Sequence, residues 1–146
     1  MEKYIEGINK YIWHARAITY NDYCKIVNRI KDDIGKDHFS PDGLHTLYLL
    51  ASNSRKHDSR SIPIDVVTIN SEILLIGERG NKRCVKIVFP QHMESFDDIS
   101  VYSPLGVACL GAKEQDIITV KNKDSEERYI IDKIIFQPER SKAFHL

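Results

Sequence analysis

The sequence predicts an α+β protein: a short N-terminal antiparallel helical hairpin followed by an antiparallel sheet domain with one short helix. Three observations carry that prediction. Apolar residues recur three and four apart between Tyr23 and Ala51, the period of a helix. Beyond Pro63 the β-branched content rises and turn residues punctuate the chain. One glycine-bounded helix, Ser103–Gly111, interrupts the strands, too little helix for a βαβ series. The boundaries that follow are an N-terminal arm over 1–17, the hairpin over 18–60 and the sheet domain over 61–146.

Each element has a local cause. The arm mixes aromatics with Ile5, Ile8 and Ile12, which would line one helical face, but Gly7 weakens that helix. Thr19 followed by Asp22 reads as a capping box in its aspartate form, with Ile18 as the hydrophobic staple. Tyr23, Ile26, Val27, Ile30 and Ile34 then give an amphipathic helix from about Tyr20 to Ile34, ended by Gly35. Ser40-Pro41 opens a second helix by the cap-then-proline rule, with Leu44, Leu47, Tyr48 and Ala51 as its apolar stripe. A polar linker follows to about Ser61. From Pro63 on, Val66, Val67, Ile69 and Ile73–Ile76 read as a first β stretch and Cys84–Phe89 as a second strand across a turn at Gly77–Asn81, with Pro90 stopping the second. Ile99–Tyr102 is a short third strand. Ile117–Lys121 and Arg128–Gln137 form a hairpin around a polar turn.

Bulk properties narrow the function classes. The chain has 146 residues and is 42% hydrophobic, enough for a real core. Lysine plus arginine and aspartate plus glutamate each number 21, so no global field gathers nucleic acid or coats an anionic membrane. Neither half is a basic tail. Cys24, Cys84 and Cys109 are widely spaced and odd in number, and each reads as a half or fully buried small hydrophobe. The absence of an apolar leader or an 18-residue apolar stretch makes a soluble cytoplasmic protein the expectation.

The run Ser103-Pro104-Leu105-Gly106-Val107-Ala108-Cys109-Leu110-Gly111 says more than its period. Ser103 can cap the first turn, Pro104 fits the first helical position, and Gly111 can end the turn with positive φ. As a string it resembles the signature of the C-terminal domain of the bacterial GreA/GreB transcript-cleavage factors. The resemblance extends over Pro63–Asn70, Val85–Phe89, Asp116–Val120 and Tyr129–Gln137. Ile64–Ser71, Val88-Phe89-Pro90 and Phe136-Gln137-Pro138-Glu139 look most like the Rnk-type members, whose coiled coil is much shorter. It departs at Gln115, where the family usually carries glycine, and a different turn backbone is expected there.

The resemblance implies an FKBP-like fold for the sheet domain. It also implies bacterial RNA polymerase as partner, docked at the secondary-channel rim, with no sequence-specific nucleic acid contact and no membrane. Ser103, Pro104, Leu105 and Gly106 become the candidate polymerase-binding residues, with Leu105 read equally well as core. In cleavage-competent members, acidic residues at the tip of a long coiled coil reach the polymerase active centre and help hold a metal. The tip candidates here are Asp32, Asp33 and Asp37, with Asp42 beyond them. A helix of about 15 residues spans only about 22 Å, short for an arm that threads a channel. A last-turn carboxylate pair also opposes the macrodipole. The acidic residues therefore read as solvated surface, and the expectation is a noncatalytic binder that affects elongation or competes with longer factors; the alternatives are a transcript-cleavage factor or a protein-interaction module with a non-polymerase target.

Other chemistry is weaker. His14, His38, His45 and His57 lack metal-ligand spacing, so no metal or cofactor is expected. A prolyl isomerase would need converging aromatics, whereas Phe89, Phe96, Tyr102, Tyr129, Phe136 and Phe144 suit core, edge or tail positions. Gly77–Gly80 lacks the lysine of a phosphate loop.

Overall fold

The computed structural model describes residues 16–33, 41–121 and 124–143, the side chains of Asp33, Pro41 and Asp42 excepted. The expectations for the arm before Arg16, and for Ile34, Gly35, Asp37, His38, Ser40 and Phe144, lie outside the described residues. In chain order the elements are β1 (Ala17–Thr19), α1 (Tyr20–Asp33), α2 (Pro41–Asn53), β2 (Arg55–His57), β3 (Glu72–Gly77), β4 (Lys82–Val88), a 3-10 turn (Pro90–His92), β5 (Asp98–Ser100), α3 (Pro104–Cys109), β6 (Ile117–Lys121) and β7 (Glu126–Phe136). The fold is α+β. Helices pack on a five-stranded sheet of order β5-β4-β3-β7-β6, antiparallel except where β5 runs parallel to β4.

Helix α1 starts where the capping signal places it. The Asp22 N–H donates to Thr19 Oγ1 at 2.9 Å, and Ile18 beneath is buried. The aspartate does not complete a reciprocal box: its Oδ2 reaches across to accept from the Ile69 N–H at 3.0 Å. Burial raises the Asp22 pKa from 3.8 to about 7, aided by the nearby Glu139 charge and opposed by the Ile69 hydrogen bond and by Lys25.

Ile26 and Ile30 of α1, Leu47, Leu50 and Ala51 of α2, and Ile73, Leu75 and Ile87 of the sheet belong to one hydrophobic cluster. The helical pair therefore lies against the sheet. Tyr48, predicted in the apolar stripe, is instead exposed, and Leu50 takes its place. The buried face centres on Leu47, Leu50 and Ala51, which rotates residue 48 outward by the helical period.

The polar linker after α2 is in part a strand. Arg55, Lys56 and His57 pair parallel to Ala17, Ile18 and Thr19, and Lys56 Nζ stands 4.8 Å from the centroid of the Tyr23 ring. At the other end of the chain, β7 skips register twice against β3. The slip that skips Asp132 lets Ile131 and Ile134, three apart, both face the core. The turn before β6 takes up the freed backbone groups. Gln115 Nε2 donates to Asp132 O (2.8 Å), and Glu114 Oε2 accepts from the Ile134 N–H (2.7 Å). Gln115 holds φ at 75°, the left-handed conformation in which glycine is unstrained, so glutamine keeps a glycine-type backbone here. Among the described residues no helix is long and apolar enough to cross a membrane.

Candidate functional site

The Ser103–Gly111 segment forms the short helix its residues predict. Ser103 Oγ accepts from the Gly106 N–H at 3.0 Å and donates to Ser100 O at 2.7 Å, and Pro104 occupies the first turn. Leu105 is buried in the main cluster, which resolves its double reading in favour of core. Gly106 presses on the strand beneath, where a Cβ would collide with Ser100 O. Gly111 ends the segment at φ 80°, and a Cβ there would stand 2.9 Å from Ala17 O. Of the four candidate contact residues, Pro104 is exposed and Ser103 half-exposed, whereas Leu105 and Gly106 are buried.

The far end of α3 is held by an arginine that the sequence did not single out. Arg16 donates through Nη1 to Leu110 O (2.9 Å) and Val107 O (3.4 Å), placing a cation at the carbonyl end of the helix. Desolvation lowers the Arg16 pKa, opposed by Cys109 and Asp116. Burial pushes the Cys109 thiol up to about 12, so it remains protonated inside the core. Cys24 and Cys84, expected half or fully buried, are exposed.

Beside α3 lies a cleft of about 360 Å³, with Ser103 and Pro104 on its rim and Arg83, Met93, Asp98 and Tyr129 among its walls. The Tyr129 hydroxyl donates to Glu127 Oε2 at 3.0 Å, and its pKa is raised by burial and by that carboxylate, against Arg83. Asp98 pins the loop at the mouth: its carboxylate accepts from the Glu94 N–H (2.8 Å) and from the N–H and hydroxyl of Ser95 (3.3 and 3.2 Å). The Glu94 hydrogen bond chiefly lowers the Asp98 pKa. The pinned loop presents Met93 at 46% and Phe96 at 103% exposure, so Phe96 fills none of the core, edge or tail positions expected of it. Phe89, Tyr102 and Tyr129 belong to the core cluster. Gly77–Asn81 is a hydrogen-bonded hairpin turn, as predicted.

Of the tip acids, Asp32 is exposed on the last turns of α1, Asp33 ends the helix, and Asp37 lies outside the described residues. The structure does bring together distant blocks of sequence. Gln137 Nε2 donates to Pro63 O (2.9 Å) and Val66 O (2.7 Å), and Thr68 Oγ1 donates to Glu139 Oε1 at 2.7 Å, with Gln137, Thr68 and Glu139 all buried.

These blocks fall in or beside the part of the chain that matches a known family. Residues 62–136 match the family described as "Transcription elongation factor, GreA/GreB, C-term", a little over half of the 146 residues. The chain belongs to the GreA/GreB family. Among solved structures, a prokaryotic transcription elongation factor GreA/GreB from Nitrosomonas europaea aligns over 83% of this chain and 99% of its own, at 22% identity and a TM-score of 0.69. That likeness is one of fold. GreA factor homolog 1 of Thermus thermophilus aligns over 83% of this chain and 99% of its own, at 16% identity and a TM-score of 0.45. No curated protein matches the chain in sequence.

Proposed function

We propose that this GreA/GreB family member is a cytoplasmic elongation factor that docks on bacterial RNA polymerase at the secondary-channel rim. The observation that carries the reading is the signature helix α3, inside the family span, with Pro104 exposed beside the cleft and the Met93–Phe96 loop. An exposed proline and a phenylalanine on a pinned loop offer apolar area that loses little entropy on contact.

In this reading the protein acts at the channel mouth by exclusion. The support is reach: α1 has 14 residues and α2 has 13, about 21 and 20 Å of helix, and both bury their apolar faces in the core shared with the sheet. The rival is transcript cleavage. The family match favours it, because that match is to transcription elongation factors and not to competitors of them.

Two measurements test these readings. Pro104→Asp should weaken co-purification with core RNA polymerase by tenfold or more, on the order of 1.4 kcal/mol, while circular dichroism and melting stay unchanged. Equal binding by the variant overturns the docking face. Leu105→Asp is unsuited to this purpose because it places a charge in the core. Adding the protein with magnesium to a backtracked elongation complex should release no short RNA. Cleavage that is lost in Asp32→Ala or Asp33→Ala would establish the rival.

A further inference from the structure

Helix α1, the end of β4 and the 3-10 turn surround a cavity of about 620 Å³ that shares no lining residue with the cleft beside α3. Three cations line it: Lys25 and Arg29, four apart on α1, and Lys86 on β4. Residues four apart share a helical face, so the first two open on the same space. Among the described residues, none of the three stands within ion-pair distance of a carboxylate. Lys25 feels Asp22 and Lys86 feels Asp98 only at longer range, and both of those carboxylates are already bonded to backbone N–H groups. Arg29 faces a neutral group, the Gln91 amide, which turned with its oxygen toward the guanidinium accepts from Nε (2.6 Å) and Nη2 (2.8 Å). Set against the Asp32 and Glu94 carboxylates of the same lining, the three cations leave a small local excess of positive charge that the zero net charge of the chain conceals.

The rest of the lining narrows the anion. A volume of about 620 Å³ suits a small organic molecule and is far larger than one phosphate needs. Val88 and Phe89 supply apolar wall, and Asn70, held at φ 72°, supplies an amide. Asp32 and Glu94 bring acceptors, which bare phosphate would avoid but hydroxyl and amino groups would use. We propose that this cavity binds a nucleotide-sized organic phosphate. The phosphates sit against Lys25, Arg29 and Lys86, and the sugar and base face Asn70, Asp32 and Glu94. Such a ligand ties α1 to β4 and so stiffens the helical pair on the sheet.

Calorimetric titration of the full chain with ADP, pyrophosphate and adenosine tests the proposal, with melting temperature as a second readout. ADP should bind saturably at micromolar concentration and raise the melting temperature. Pyrophosphate should bind about tenfold or more weakly, and adenosine not measurably. Lys25→Gln and Lys86→Gln, both at partly exposed positions, should each weaken ADP about tenfold without changing the melting temperature of the free protein. No saturable ADP binding below about 1 mM overturns the proposal. So does ADP binding that both variants leave intact, or pyrophosphate binding as tight as ADP. Lysine-dependent binding of a short single-stranded RNA that ADP does not displace would assign the charge to a polymer and overturn it as well. None of these outcomes depends on polymerase docking.

Discussion

Helices α1 and α3 begin alike and are used differently. Each is opened by a hydroxyl that accepts from the N–H three residues on, Thr19 for α1 and Ser103 for α3. From there α1 follows its period: Ile26 and Ile30 turn inward, and Lys25 and Arg29 face the cavity. In α3 nearly every residue is fixed by what it touches. Ser103 caps, Leu105 fills the core, Gly106 admits Ser100 O, and Gly111 admits Ala17 O. A signature string can therefore be chiefly a packing specification, with only Pro104 left exposed and Ser103 half-exposed among its first four residues.

Substitutions can break or sharpen that contrast. Gly106→Ala has the largest expected effect, because the collision is with backbone that cannot step aside. It should cost about 3 kcal/mol or more, or prevent folding, as read by urea denaturation. If the variant is as stable as the parent, close fit does not define α3.

Asp22→Asn comes next and probes α1 through its buried cap. The folded pKa of about 7 lies above the ordinary 3.8, so the folded state retains this proton after the unfolded chain has released it. The stability this group contributes is full below about pH 4 and is lost as pH rises through about 7. Asparagine stays neutral and can still accept from the Ile69 N–H. Between pH 4 and pH 8 the parent should therefore lose on the order of a few kcal/mol relative to the Asp22→Asn variant. Parallel stability curves for the two proteins would exclude this linkage.

The smallest effect compares the caps directly. Thr19→Ala and Ser103→Ala should each cost about 1 kcal/mol, with Thr19 the larger because it is fully buried. Thermal melts that rank them the other way would reverse the picture.

The features legible in the sequence are those with local causes. The Thr19–Asp22 cap, the helical spans, the Gly77–Asn81 turn and the Ser103 cap all depend on residues within a few positions of one another. The parallel pairing of Arg55–His57 with Ala17–Thr19 was hidden, since Arg-Lys-His shows no alternation and its partner lies far back in the chain. The bulges in β7 were hidden because a run of isoleucines does not reveal where register slips. Gln115 misled because a residue with a side chain can bear the left-handed backbone when its amide has a partner. Cys24 and Cys84 show that composition assigns burial by type, whereas the helix face and strand face assign it by position. Of the candidate site, Pro104 was legible from the string. Phe96 was not, because only the Asp98 anchor turns its loop outward. Arg16 and Glu139 act across distances the sequence does not mark.

The parallel β1–β2 pair has an architectural consequence. The excursion through α1 and α2 leaves and re-enters the body on adjacent strands, Ala17 beside Arg55 and Thr19 beside His57. Its two feet share one foundation, and its far ends are seated as well: a Cβ on Gly43, in the first turn of α2, would stand 2.8 Å from Tyr102 O, and Arg29 near the end of α1 meets the Gln91 amide. The pair is thus braced at root and tip, and lengthening either helix would have to carry it past a seat it already occupies.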